Sequence, residues 1–436
     1  MADRRVVVEE EEYGLYGYRW VVLATFMLIG AMTQLMWLNY APITSQVQNI
    51  MHVSEFQVVM LAMMFPLLYI PVSIPAGMII DRKGWHYAVM VGAVITTGFS
   101  FLRLFTGNYA LVLIGMIGIA IGQPFVLNAI TKMTSTWFPT REAAMATGIA
   151  TLSLFIGMLV AQAATPALLT ALGENQSGLR MLVLIYSLAS LAGLTLFAIF
   201  ARAKPPRPPK RTEREIQEEG AVINWSSVGT IFSIYDFRIL CVIIFIGNGA
   251  FVGILQLLEK IMQPKHVSTG AAGNIGAVMV FAGMVGCIII PALSDRVRKR
   301  KPFIVIAAVV AILGLFFFSA MKGHGVYGLN PGGVAPFFII GGIIGIFLFA
   351  AYPLLLTFAE ECTGHGLTGT ATAILLLLGN AGGVIITLLM EWIKDATGGK
   401  GGSFFWALMF LVLLFVVALV FASFLREGKV PEGVGD

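Results

Sequence analysis

Carboxamide and aromatic side chains recur inside the long apolar runs of this chain. Gln34, Trp37, Asn39 and Tyr40 lie close together in the first run, and Gln123 lies in the fourth. Asn248, Phe251 and Gln256 fall in the seventh, Tyr352 in the tenth and Asn380 in the eleventh. Aromatic faces hold an organic cation, by about 2 kcal/mol or more once it is desolvated. Amides add hydrogen bonds without fixed charge, so a zwitterion or a neutral solute fits as well. The same amides also serve as glue between helices, a role expected for about half of them, Asn128 and Gln162 first. Trp37, Gln123, Tyr40, Gln34, Asn39, Asn248, Phe251, Gln256, Tyr352 and Asn380 are the candidate substrate-binding residues.

Charge is scarce in the middle of these runs. Glu259 and Glu391 stand near run ends, and Glu360 and Glu361 close the tenth. Lys132 occupies the last third of the fourth run, and Arg103 the far end of the third. A long basic side chain near a run end is expected to snorkel to the interface, and that is the expectation for Arg103. Lys132 either snorkels or faces a cavity, where it would attract an anion. Proton coupling would fall to Glu259, Glu361 or Asp81. The five histidines (His52, His86, His266, His324 and His365) lie in loops or at run ends, and the three cysteines show no ligand spacing. No catalytic group, metal site or cofactor is expected.

The elements that position these residues follow from composition. Hydrophobic residues make up 58% of the 436 and charged residues 12%, against about 25% charged in a soluble domain. The mean hydropathy is +0.87. The bilayer is the solvent that accommodates this surface, and continuous runs point to helices rather than a barrel. Twelve spans are expected, over 19–44, 56–80, 86–106, 109–136, 143–168 and 178–202, then 238–262, 271–293, 302–321, 335–359, 367–391 and 402–425. The architecture is therefore an all-α membrane protein of two six-helix halves, 19–202 and 238–425. Residues 203–237 form a Pro-rich, charged linker whose Trp225–Phe237 part is expected on the membrane surface. Tails cover 1–18 and 426–436, and GGKGGS (398–403) is expected as a short outer turn.

A hairpin and its echo indicate the internal duplication. Gly77, Asp81, Arg82 and Gly84 form Gly-x-x-x-Asp-Arg-x-Gly between the second and third runs. Asp295 and Arg296 repeat its core half a chain later, without the second glycine. Paired halves of this kind place a binding site between them. Of the 28 basic residues, seven (Arg103, Arg180, Lys260, Lys265, Lys322, Lys394 and Lys400) fall on one side of the membrane and 21 on the other. The positive-inside rule then puts both termini in the cytoplasm and the protein in a plasma or inner membrane. It also explains the net charge of +5 without nucleic acid. No cleavable signal peptide is expected, and the sequon at Asn175 is taken as a chance match. The expected partners are the bilayer and a small-molecule substrate, with the chain acting as a monomer. The glycine-flanked Asn248 and the run Gly379–Gly383 are expected as hinges. A channel would not need the duplicated hairpin, a receptor would want a soluble domain, and an enzyme would need the missing catalytic groups.

The twelve runs, central linker and Gly77–Gly84 hairpin resemble the major facilitator superfamily. That resemblance implies transport by alternating access, with Asp81 and Arg82 locking the halves when the site faces outward. Trp85 and His86 replace the family's usual basic pair. The fifth run lacks the drug–proton antiporter pattern, the sixth ends unlike the sugar porters, and the eighth lacks the arginine of anion carriers. TQLMWLNYAPIT, GQPFVLNAITKMTSTWFPTRE, AGMVGCIIIPALSD and AAYPLLLTFAEECT are similar to solute carrier family 49, the haem and choline carriers that include the feline leukaemia virus subgroup C receptor. The resemblance implies that Trp37 and Gln123 line a choline site. Val252 stands where that family has a seventh-span aromatic, beside Phe251, and Gly379 where it has a glutamine, beside Asn380. The expected function is a facilitative or secondary-active transporter of an organic cation or zwitterion such as choline. The alternative is a proton-coupled carrier of a small organic anion (a monocarboxylate) or a haem-type ligand.

Overall fold

An unpartnered backbone amide or carbonyl in hydrocarbon costs several kcal/mol, so each apolar run closes its hydrogen bonds internally and becomes a helix. The computed structural model describes residues 16–207, 225–321, 333–364, 367–398 and 404–426. It contains twelve helices long and apolar enough to cross a membrane. They are α1 (Arg19–Met51), α2 (Glu55–Lys83), α3 (Trp85–Leu102), α4 (Tyr109–Trp137), α5 (Glu142–Leu172), α6 (Gln176–Phe200), α7 (Tyr235–Lys265), α8 (Thr269–Val297), α9 (Lys301–Ala320), α10 (Ala335–Thr363), α11 (Gly369–Thr397) and α12 (Phe405–Ser423). A short helix, Trp225–Ser233, precedes α7, within the part of the linker expected at the membrane surface. Residues 399–403 of the expected turn, His324, His365 and most of both tails lie outside the described residues, and Gly398 ends a helix.

The duplication is visible in the packing. Within the first six helices α1 pairs with α5, α2 with α4, α3 with α4 and α3 with α6. Six helices later the same scheme returns: α7 with α11, α8 with α10, α9 with α10 and α9 with α12. The halves meet along α5–α8 and α2–α11, two seams that the same six-helix shift interchanges. Below, the proximal end is the one where α1 begins and α12 finishes, and the distal end is the opposite one.

Two helices break where the polar residues sit. α1 is interrupted after Leu38 by Asn39 and Tyr40 and a 3-10 turn, Ala41–Ile43, carrying Pro42. α4 holds Pro124 one residue after Gln123 and is interrupted at Asn128–Ala129. Proline removes a donor and crowds the preceding turn, and the freed groups must then find partners in the bundle.

The expected hinges take another form. α7 and α11 run unbroken through Gly247–Gly249 and Gly379–Gly383. A methyl group at Gly249 would meet the Gly382 carbonyl 2.7 Å away, and one at Gly382 would meet the backbone of Phe245. These glycines form a seam that lets the two helices touch, as small residues do in membranes. Asn175, the sequon asparagine, caps α6 by accepting from the Gly178 amide at 3.0 Å.

The exit from α6 is held by aromatic donors. Four successive carbonyls each face one ring. The Tyr18 hydroxyl donates to Phe200 O at 2.8 Å, and His86 Nε2 lies 3.1 Å from Ala201 O. Trp137 Nε1 donates to Arg202 O at 3.1 Å, and Trp85 Nε1 to Ala203 O at 2.8 Å. A helix end leaves its last carbonyls without intrahelical donors; Tyr18 supplies one to Phe200, the last residue of α6, and the other three rings hold the chain that leaves the helix. Trp85 and His86 thus anchor the start of the linker.

Candidate functional site

The centre of the molecule is aromatic. Trp37 on α1 is tilted against Phe65 on α2 at 6.2 Å between ring centroids. Its Nε1 donates to Ala62 O at 3.0 Å, which fixes the orientation of the indole. Phe349 on α10 makes edge-type contacts with Phe251 (α7) at 4.3 Å and Phe155 (α5) at 5.2 Å between centroids. Trp37, Phe65, Val252 and Phe349 belong to one packed cluster, with Phe155 and Phe251 against it. Five helices from both halves therefore bring rings to the middle. Phe65, Phe155 and Phe349 were absent from the sequence reading, because phenylalanine in an apolar run carries no signal that separates a wall from a core.

The amides divide into groups. Gln123 is 5% exposed and makes no hydrogen bond to a described residue. Gln34 is buried with its Nε2 unpartnered, and its Cβ lies where a methyl on Gly157 of α5 would fall. Asn248 packs against Gly379. Asn380 donates to Leu376 O of its own helix at 2.9 Å. Asn128 is glue: it accepts from the Tyr69 hydroxyl at 2.8 Å and donates to Ser73 Oγ at 3.0 Å. Gln162 joins the halves, donating to Leu255 O at 3.1 Å. Tyr352 on α10 lies within electrostatic range of Tyr69 on α2, so tyrosines of the two halves approach each other there.

Asn39 and Tyr40 are drawn elsewhere. Asn39 Oδ1 accepts from Arg103 Nη1 at 3.3 Å, and the Tyr40 ring lies 5.7 Å from the guanidinium carbon. Arg103 was expected to snorkel; it is instead 0% exposed. The helices α1, α4 and α6 enclose it because Gly115 on α4 leaves room for its stem.

At the distal end the halves are joined by charge. Glu55, at the start of α2, faces Lys394 of α11 at 2.9 Å and Lys260 of α7 at 3.7 Å. Lys394 also donates to Glu391 Oε2 at 3.0 Å. Glu391 and Glu259 are only 3% and 4% exposed, and each keeps one unpartnered oxygen. Glu259 lies against Ser45 of α1. Gln256, one turn below, has neither amide atom bonded. Beside this cluster a depression of about 480 Å³ is lined by Ser45, Gln48, Asn49, His52, Val53, Lys260 and Gln263. Buried opposite charges across an interface contribute only when well paired, and removing one partner strands the others.

At the proximal end the ion pairs of Arg19 and Arg300 each stay within one half. Arg19 donates to Glu142 at 3.0 Å. Arg300 donates to Glu361 Oε1 at 3.0 Å and pairs with Asp295. Burial works against the Arg300 charge, but those two carboxylates outweigh it and hold its pKa above the ordinary arginine value. Arg300, which the sequence reading passed over, thus ties the repeated hairpin to the end of α10. Asp81, Arg82 and Arg296 are exposed. Gly84 adopts φ +86°, a left-handed turn that favours glycine, whereas Gly77 has open space around it. Lys132 is half-buried. Among the described residues no group of His, Cys, Asp or Glu could hold a metal ion.

Twelve spans in two interchangeable halves, with a polar and aromatic centre between them, define a membrane transporter. The family model of the Major Facilitator Superfamily matches residues 23–387, and the chain belongs to that superfamily. The chain is similar to the choline/ethanolamine transporter FLVCR1 of Mus terricolor, 26% identical over 439 residues, covering 95% of this chain and 77% of that protein. It is similar to the choline/ethanolamine transporter flvcr2a of Danio rerio, at 24% over 97% and 90% of the two chains. Solute carrier family 49 member A3 of Xenopus tropicalis is 26% identical over 90% and 81%. These relatives bear out the likeness to solute carrier family 49. Among solved structures, a bacterial homologue of the human lysosomal transporter Spinster, inward-facing and unoccupied, matches with TM-score 0.74 at 17% identity, over 96% and 100% of the chains. The E. coli fucose:proton symporter FucP matches with TM-score 0.62 at 16%, over 94% and 100%. The chain is thus an integral membrane protein that transports a small organic solute and is not an enzyme.

Proposed function

We propose that the protein is a facilitative carrier of a small organic cation or zwitterion, choline or ethanolamine in chemistry, working by alternating access. One observation carries this reading. Rings from α1, α2, α5, α7 and α10 gather at the centre, Gln34 and Gln123 are buried on α1 and α4, and no acidic or basic residue falls in the middle third of those spans or of α4. An ammonium ion is held there by aromatic faces, and amides orient its hydroxyl. The curated relatives' names point the same way. A cation needs no titrating group to be driven, because the membrane potential acts on its charge.

In this reading the proximal end is cytoplasmic, the membrane is the plasma or inner membrane, and the charge-tied distal end is the closed outer gate. Asp81 and Arg82 are free in this state and take part in locking the proximal end in the opposite one. A second reading, a proton-coupled carrier of a small organic anion or haem-type ligand, draws on the buried Glu259 and Glu391.

A thermal-shift panel on the purified protein separates the two. Choline and ethanolamine are expected to stabilise it, and Trp37→Ala to weaken that effect about 30-fold in midpoint concentration, the equivalent of about 2 kcal/mol. Stabilisation by monocarboxylates or haem alone would contradict the cation reading.

A further inference from the structure

We propose that the first six helices hold a small inorganic anion, chloride in size and charge, at Arg103. The observation is a set of buried donors with no anionic acceptor among the described residues. Arg103, just past the end of α3, is among the largest fully buried side chains of the molecule. Its Nη1 donates to Asn39 Oδ1 at 3.3 Å and points at the weak acceptor Met116 Sδ at 3.5 Å. Its Nε and Nη2 have no partner. Beside it Asn39 Nδ2 and the Tyr40 hydroxyl are also unpartnered, and both residues are at most 1% exposed. Each of these four orphaned atoms can donate a proton, and the one that can also accept, the Tyr40 hydroxyl, is neutral and leaves the guanidinium charge uncompensated.

The groups that face Arg103 are neutral. α1 contributes Asn39 and Tyr40, α4 contributes Met116 and Gly115, and α6 contributes Tyr186. The Tyr186 hydroxyl is already engaged with Thr165 Oγ1 at 2.8 Å. Among the described residues no carboxylate pairs with Arg103, although carboxylates pair with Arg19 and Arg300. A guanidinium does not deprotonate in a protein. Left alone it would be a buried, uncompensated charge, the arrangement most costly to keep. A monovalent anion within reach of Nε, Nη2, Asn39 Nδ2 and Tyr40 OH would neutralise it and accept all four bonds. The stem is built in, since a methyl on Gly115 would meet Arg103 Cγ at 2.6 Å. The anion would pin the break in α1 to the end of α3.

The test uses the whole protein and does not depend on transport. Its melting temperature is measured in chloride and in gluconate at matched ionic strength, and bromide-soaked crystals are examined for anomalous scattering. The expected result is a saturable rise in melting temperature with chloride and a bromide peak within hydrogen-bonding reach of Arg103 Nε. Tyr40→Phe removes one donor and should raise the chloride midpoint about tenfold, and Arg103→Gln should abolish the dependence. Equal melting temperatures in chloride and gluconate for the unaltered protein, without a bromide peak, would overturn the proposal. A chloride dependence unchanged in both Tyr40→Phe and Arg103→Gln would do the same.

Discussion

At the distal end Lys394 of the second half reaches Glu55 of the first at 2.9 Å, and Lys260 approaches the same carboxylate at 3.7 Å. At the proximal end Arg300 reaches Asp295 and Glu361, and Arg19 reaches Glu142, each within its own half. Both ends thus set arginine or lysine against carboxylates, but of these pairs the distal ones join the two halves and the Arg19 and Arg300 pairs do not. On the proposed alternating-access reading, the distal cluster would hold the central site closed on that side. The proximal clusters govern whether each half stays folded as a unit.

The largest expected effect comes from breaking the distal tie. Lys394→Met leaves Glu55 and Glu391 facing each other without their shared cation, and the loss of one partner of a buried pair costs about 3–5 kcal/mol. The distal-closed state should lose that much relative to the open one. Single cysteines placed on the lining of the distal depression, at Ser45 or Asn49, should then label faster with a membrane-impermeant thiol reagent. Unchanged labelling would show that the tie does not hold the gate.

Arg300→Gln sharpens the contrast from the other side. It strands Asp295 and Glu361, so the melting temperature should fall, by the equivalent of about 2–3 kcal/mol. Distal labelling should stay as in the unaltered protein, because the contact lies within one half. A change in labelling without a loss of stability would reverse the assignment of the two ends.

Asp81→Asn is expected to have the smallest effect on stability, within about 0.5 kcal/mol, because the side chain is exposed and forms no described pair. Transport should nevertheless slow if Asp81 takes a partner in the opposite state. Unchanged transport would remove the hairpin from the gating account.

The sequence made the framework legible and hid the pairings. Long apolar runs and the repeated Asp-Arg hairpin fixed twelve helices and their duplication, since both depend on local composition. Trp37 and Gln123 could be singled out because a polar or indole group in such a run needs a reason. Arg103 could not be placed: beside an apolar run it looks like any snorkelling arginine, and its partner Asn39 is 64 residues away. Lys260 and Lys394 read as two of the seven basic residues on the outer side and Glu55 drew no reading, and only the approach of α2, α7 and α11 joins the three. Trp85 and His86 read as a departure from a motif, and their role at the end of α6 depends on carbonyls more than a hundred residues on.

The most direct test of the central claim is counterflow in proteoliposomes. Vesicles loaded with unlabelled choline are diluted into trace radiolabelled choline, with no proton gradient. The account predicts transient accumulation of label that is lost in Trp37→Ala. No accumulation, or accumulation that requires a proton gradient, would contradict a facilitative organic-cation carrier.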